Sequence, residues 1–592
     1  MPLLIRRRGA FVGAFLLFFL PFFVPEAAAQ TGSPTLVISQ IYGEAGCNAP
    51  SCSRFNHDFI ELFNRSRNPV TISGWSVQYA SATGSEWEVT PLPTLTIQSG
   101  KYVLIQGAGN AFGQQPLPQS DAVGTFDIAL SAGKVALVSN ASPLTGSCPR
   151  LSEAVIDFLG FGASANCFEG NGPAPAPTSQ SPALRRRSAG IRDHDDNLSD
   201  FLTTVPLPRN SATARMFLPG DLLITELRDG GPKGSTDDFV EIYNNTDFTF
   251  TQGTGSNILL HLLDAHDGCL TVATRVADGT IIPPRGHYLF AGADYSLASY
   301  AGKNGNTPHT DDQKFAYAVK FNNILMDSVS FNGAVTCNQD PEFFSVEGTP
   351  LFSVGGANVQ YSHVRKMAAG LPQDTQNNAS DFDIVSVTGA NIQGIKQTIL
   401  GAPGPENLSS PVQHNATVKA SLIDPSVAAT APPNRVRSGR GGLPGSFGTL
   451  SIQRRFKNAT GAPLTRLRFR VVDITTLSSP VTSSPQADLR VISSTGVVTN
   501  SQGVVVAEVT GLTLEEPPLQ TSGGGLNSTL TVVLPGGSLA AGNTIDVQFL
   551  LSVQREGAFR FLINVEALTG PVDTFGATKV RDTKASRAGK KQ

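Results

Sequence analysis

Arg466, Arg468 and Arg470 alternate with Leu467, Phe469 and Val471, so period 2 places the three guanidinium groups on one face of a strand. Residues 450–457 and 464–472, joined by Asn458-Ala459-Thr460-Gly461, read as a hairpin that adds Arg455 and Lys457 to that face. Five cations on one sheet face would attract a polyanion such as extracellular DNA, acidic polysaccharide or lipopolysaccharide phosphate. The plainer reading is the solvated face of an antiparallel sheet. Asp193, Asp195, Asn197 and Ser199 alternate oxygen ligands along a loop, a spacing that suits calcium, which takes six to eight hard oxygens. Without the glycine and final glutamate of an EF-hand, the plainer reading is a polar loop whose side chains cap local backbone. In a second, similar stretch the positions are Asp374, Gln376, Asn378 and Ser380, with less charge. Glu61 and Glu241 each sit between aromatic residues that could raise a carboxylate pKa. Neither has a second carboxylate or a histidine fixed beside it by spacing, so a structural role is expected, accepting backbone hydrogen bonds from a loop. His266, in Asp264-Ala265-His266-Asp267, is the histidine with close acidic neighbours, and a surface loop accounts for it. The sequence holds no HExxH, no GxSxG, no phosphate-cradling loop and no dinucleotide fingerprint, so no catalytic residue is expected.

The cysteines fit an exported protein. Arg6-Arg7-Arg8, an apolar stretch over 11–24 and Ala27-Ala28-Ala29 form a secretory signal, giving a signal peptide at 1–30. No later stretch approaches the length of a membrane span. In an oxidising compartment Cys47, Cys52, Cys148, Cys167, Cys269 and Cys337 are disulfide candidates, with 15 connectivities open and pairing inside each repeat preferred. Zinc is the rival for Cys47 and Cys52, but no CxxC partner or spaced histidine pair follows. The near-neutral total of −3 hides an asymmetry: residues 401–592 carry 19 Lys and Arg against 12 Asp and Glu, so the C-terminal third is basic and the rest acidic.

The elements that must position these residues are short strands. Asp58-Phe59-Ile60-Glu61-Leu62-Phe63-Asn64 returns as Asp238-Phe239-Val240-Glu241-Ile242-Tyr243-Asn244. Alternation sends Ile60 and Leu62 to one face and Phe59, Glu61 and Phe63 to the other. Three further landmarks recur in the same order. Gly100-Lys101-Tyr102 is matched to Gly286-His287-Tyr288, Ile156-Asp157-Phe158 to Met326-Asp327-Ser328, and Asn197-Leu198-Ser199-Asp200-Phe201 to Asn378-Ala379-Ser380-Asp381-Phe382. This reads as a tandem duplication over 31–210 and 215–400. Short runs separated by Gly, Pro, Ser and Asn, without amphipathic helices, indicate all-β sandwiches.

The first copy resembles the lamin tail domain of secreted bacterial proteins, through its initial apolar strand, Asp-Phe-Ile-Glu-Leu-Phe-Asn, Ser73-Gly74-Trp75, Gly100-Lys101-Tyr102-Val103-Leu104, and the close from Asp193 to Phe201. The resemblance implies an immunoglobulin-like β-sandwich that binds and tethers. The second copy lacks the Ser-Gly-Trp motif, so its identity rests as much on the repeat. Gly and Pro over 401–412 read as a linker, residues 413–578 as a third, basic β-sandwich-like domain, and 579–592 as a basic disordered tail. The expected function is non-catalytic attachment to an unknown extracellular or cell-surface macromolecule, secreted or at the cell surface or periplasm. Polyanion binding through the arginine run and hydrolysis at an unrecognised site are the alternatives. No cofactor is expected beyond calcium.

Overall fold

A computed structural model describes residues 33–570 except 47–52, 111, 254–256, 265–269, 311–313, 334–346, 369, 393–397, 481–484, 497, 500–504 and 516–518. The signal segment, the C-terminal tail, His266, and Cys47, Cys52, Cys269 and Cys337 lie outside the described residues. The chain forms two compact units, Met1–Met216 and Phe217–Gln592, and is almost entirely β, as immunoglobulin-like sandwiches require.

In the first unit, Leu36–Tyr42 pairs antiparallel with His57–Asn64, which pairs with Tyr102–Gly109. Ala183–Arg186 and Phe201–Thr204 extend this sheet on the other side. The second layer runs Val155–Phe161, Gly133–Val138, Ser76–Ser81, Glu88–Pro91. Ile60 and Leu62 enter the core between the layers with Ile38, Val135, Leu159 and Leu184. Phe59 packs on the outer side with Tyr42, Phe55 and Leu104. The alternation predicted for this strand is therefore built as an extended, doubly covered strand. The turn at Ser99-Gly100 needs its glycine: φ is +69°, and a Cβ there would come 2.1 Å from the Met216 carbonyl oxygen. A disulfide joins Cys148 to Cys167, with sulfurs 2.08 Å apart.

The first part of the second unit has the same strand order. Phe382–Ser386, Tyr361–Arg365, Leu222–Arg228, Phe239–Asn244 and His287–Ala291 form one sheet, and Ile324–Ser330, Phe315–Phe321, Ile258–Asp264 and Leu270–Arg275 the other. Even the irregularities recur, with a bulge between Ile38 and Gln40 and another between Ile224 and Glu226. The register corrects one landmark. Phe63 pairs with Tyr102 and Tyr243 with His287, so His287 stands where Tyr102 does. The match of Lys101 to His287 slips by one residue, which in a strand exchanges the two faces.

The rest of the second unit is another β-sandwich with its own core, centred on Phe456, Leu467, Phe469, Val547 and Phe549. Here the predicted hairpin is corrected. Thr449–Asn458 pairs with Val418–Leu422, Arg435–Ser438 and Thr544–Arg555. Leu464–Ile474 pairs with Thr529–Val532 and Phe561–Thr569. The two strands are consecutive but do not pair with each other. Asn458 explains why: its amide donates to Ala462 O (2.8 Å) and Leu539 O (2.9 Å), carrying the chain from one set of partners to the other.

Candidate functional site

The bulge in each first strand turns a hydroxyl toward the repeated glutamate: Ser39 Oγ donates to Glu61 Oε1 at 2.5 Å, and Thr225 Oγ1 donates to Glu241 Oε1. Each glutamate then accepts a backbone N–H from a Pro-x-Pro strap that follows its repeat. In the first unit the strap is Pro206-Leu207-Pro208-Arg209-Asn210, with Arg209 N donating to Glu61 Oε2 (2.7 Å) and Leu207 N to Gln40 Oε1 (3.0 Å). In the second it is Pro403-Gly404-Pro405-Glu406-Asn407, with Glu406 N donating to Glu241 Oε2 (2.6 Å) and Gly404 N to Glu226 Oε1 (2.9 Å). Residues 401–412, read as a linker, do connect two sandwiches, but 401–406 are buried. The structural role expected of Glu61 and Glu241 is the one the hydrogen bonds describe.

The two straps differ in charge. Arg209 closes the first site: its guanidinium pairs with Glu61 at 2.7 Å, donates to Tyr102 Oη at 2.6 Å, and lies over the Tyr102 ring. In the second site the strap carries Glu406, so a carboxylate faces a carboxylate. His287, in the Tyr102 position, bridges them, Nδ1 3.1 Å from Glu241 and Nε2 3.1 Å from Glu406. The remaining charge is met by the C-terminal sandwich. Arg468 pairs with Glu406 and Glu566, and Arg470 pairs with Glu406 (3.0 Å) and Glu566 (2.7 Å). Asn527 completes the joint, accepting from Arg470 Nη1 (2.6 Å) and donating to Glu226 Oε2 (2.9 Å).

Apart from Arg468, the groups of this second site line a cavity of about 460 Å³ within the second unit. Its other walls include Met367, Pro372, Ile399, Ile474, Leu526 and Leu562. Burial would raise Glu406, but Arg470, His287 and Arg468 outweigh it and hold the carboxyl down to about 2. Glu226 is pushed up to about 7 by burial and by Glu241. Burial works against the His287 imidazolium, yet Glu406 and Glu241 raise its pKa. The oxygen and nitrogen atoms of Glu241, His287 and Glu406 lie close enough together to hold a metal ion, but Glu406 is already paired with Arg468 and Arg470. The arrangement ties the two parts of the second unit together beside a cleft lined by both charged and apolar side chains.

The five cations expected on one exposed face are thus placed differently. Arg468 and Arg470 are only 2% and 9% exposed, covered by the preceding sandwich. Arg455 pairs with Asp546 at 2.8 Å and Arg466 with Glu515 at 2.7 Å. Lys457 remains exposed, on a strand that does not neighbour the one bearing Arg466. The alternating arginines read as a solvated face because their acidic partners, Glu406 and Glu566, lie 62 and 98 residues away. The signal that finds the site is the Pro-x-Pro-Arg-Asn and Pro-x-Pro-Glu-Asn pair read in register.

Of the calcium candidates of the first unit, Asp193 is paired with a buried arginine. Arg186 donates to both oxygens of Asp157 (2.9 Å each), to Asp193 Oδ1 (2.7 Å) and to Ile38 O (3.0 Å). Asn197 is structural: its amide bridges Phe158 O, Gly160 N and Glu169. Ser199 Oγ donates to Asp196 O. Asp195 adopts φ +52° and leaves Oδ2 buried without a hydrogen bond.

Residues 29–147 match the lamin tail domain family. No curated protein matches this chain. Among solved structures, a tetra-tandem repeat from the extending region of a large adhesion protein covers 90% of this chain and 98% of its own, at 11% identity and a TM-score of 0.11. Salmonella alpha-2-macroglobulin reacted with methylamine covers 92% of this chain and 30% of its own, at 9% identity and a TM-score of 0.12. Likenesses this distant carry no argument about fold or function.

Proposed function

We propose that this chain is an exported, non-catalytic protein that attaches to a macromolecule at or outside the cell surface through immunoglobulin-like sandwiches. The observation that carries the reading is the lamin tail domain match at 29–147, on a sandwich whose strand order and bulge recur from Leu222 to Ser386. That recurrence supports reading the second sandwich as a tandem lamin-tail-like domain, followed by a third domain from about residue 413. The Cys148–Cys167 disulfide fits an oxidising destination. Among the described residues no helix is long and apolar enough to cross a membrane.

The ion pairs at the joint support binding over turnover. His287 is paired with Glu241 and Glu406, and Glu406 also with Arg468 and Arg470, which favours a structural role for the trio. Immobilised full-length protein, exposed to cell-envelope fractions and screened in parallel with nuclease and esterase substrates over a metal panel, tests the reading. Saturable retention that survives high salt, with no turnover, is expected. Chelator-sensitive turnover would replace it with a hydrolase, and retention that collapses with salt would replace it with polyanion binding.

A further inference from the structure

The buried arginine of the first unit has a counterpart in the second, but the two are used differently. Arg365 donates Nε to Ile224 O (2.7 Å), as Arg186 does to Ile38 O, and stacks on Phe382 as Arg186 does on Phe201. Arg186 then takes both oxygens of Asp157 and gives Nη1 to Asp193. Arg365 takes only Oδ2 of Asp327 (2.5 Å) and gives Nη1 to the Gln373 carbonyl (3.0 Å). Among the described residues Asp327 Oδ1 has no hydrogen-bond partner, in a residue 1% exposed. Arg65, which reaches Asp193 at 3.3 Å in the first unit, is replaced by Asn245, whose amide goes to Gly220 O.

Two further acids converge on Asp327. Asp327, Glu347 and Asp374 each offer an oxygen, and the three oxygens lie within 4.8 Å of one another. Three oxygens spread evenly round one calcium ion at about 2.3–2.6 Å lie about 4.0–4.5 Å apart, so these acids need to close in by only a few tenths of an ångström to share one ion. Among the described residues the side chain of Glu347 accepts long hydrogen bonds, 3.3 Å from both Ser328 N and Asn378 Nδ2, and can turn to a cation. A buried, carboxylate-rich pocket also disfavours magnesium, which keeps its waters.

We propose that Asp327, Glu347 and Asp374 form a calcium site in the second unit, and that the homologous acids of the first unit are closed by Arg186 instead. The two centres thus solve the same burial of acids in two ways, one with a guanidinium and one with a guanidinium plus a divalent ion.

Calorimetric titration of calcium chloride into chelator-treated full-length protein, with magnesium chloride alongside, tests this. One calcium per chain is expected, with an affinity in the range of about 10⁻⁶–10⁻³ M. Glu347→Gln and Asp374→Asn should each weaken binding at least about tenfold, while Glu169→Gln in the first unit leaves stoichiometry and affinity unchanged. Asp374 is partly exposed, so D374N should keep the fold even where changes at Asp327 do not, and its melting curve verifies that. No heat at about 5 mM calcium, binding undiminished in folded D374N, or a preference for magnesium would each overturn the site.

Discussion

Glu61 and Arg209 show what one buried pair does. Arg209 is enclosed, and Glu61 receives its backbone N–H, its guanidinium and the Ser39 hydroxyl. Removing only the carboxylate leaves a buried cation whose desolvation is no longer offset, so Glu61→Ala should destabilise the first unit by about 3–5 kcal/mol. Removing both charges, as in Glu61→Met with Arg209→Met, should recover most of that loss, because an apolar pair of similar volume needs no partner. Denaturant titrations of the full chain, followed at the first unit, measure both. A double variant as unstable as E61A would show that the strap's N–H bond, not the ion pair, carries the effect. Such sites were half legible from sequence. The alternation around Glu61 gave its strand and its face, and the backbone bonds from a loop were expected. Arg209 was not visible as its partner, because 148 residues separate them and nothing in local spacing links the two.

At the scale of elements, the exchange of Arg209 for Glu406 is what attaches the C-terminal sandwich. The strap of the second repeat offers a carboxylate where the first offers a guanidinium, and Arg468 and Arg470 come from another domain to meet it. Glu406→Arg would set a third guanidinium against those two. The expected outcome is undocking: the second unit, expected to melt in one transition in the natural chain, should melt in two, and proteolysis should become faster in the strap. Unchanged cooperativity in E406R would show that apolar packing holds the joint unaided. A second prediction follows from where the cations went. With Arg468 and Arg470 enclosed and Arg455 and Arg466 paired, replacing Lys457, Arg455 and Arg466 by Gln should change retention on heparin by less than about twofold, since few free phosphate-binding charges are removed. Strands were the legible elements here, since apolar alternation marks them wherever they lie. Their partners were not. The turn Asn458-Ala459-Thr460-Gly461 suits a hairpin and an arch equally, and only the Asn458 contacts with Ala462 and Leu539 decide between them. The Gly-Pro run at 401–405 likewise reads as a linker, although the Gly404 N–H, and the Glu406 N–H just after it, reach buried acids.

For the whole molecule, these acids tie stability to pH, and the sign differs among them. Glu406 is held below its ordinary value, so what it contributes is present above about pH 4.5 and is lost as pH falls toward about 2. Glu226 is raised to about 7, so the folded form holds its proton longer than the unfolded chain does. Its contribution is present below about 4.5 and is lost as pH rises through 7. His287 is also raised, and the imidazolium bridging Glu241 and Glu406 likewise contributes below its unfolded value near 6.5 and less above its folded one. The joint is therefore most stable in mildly acidic solution. Melting temperatures of the second unit, measured by calorimetry on the full chain between pH 5 and 8.5, should fall as pH rises. The loss should be on the order of 2 kcal/mol and accrue mainly between about pH 5 and 7. The first unit has Gln40 and Tyr102 at the corresponding positions, neither of which changes charge in that interval. Glu226→Gln and His287→Tyr thus copy its chemistry into the second unit and should flatten the profile together. A profile as steep in the double variant as in the natural chain would place the proton uptake elsewhere, in the acids around Arg365. That outcome would separate the pH response of the joint from that of the domain core, because the two sites share no residue.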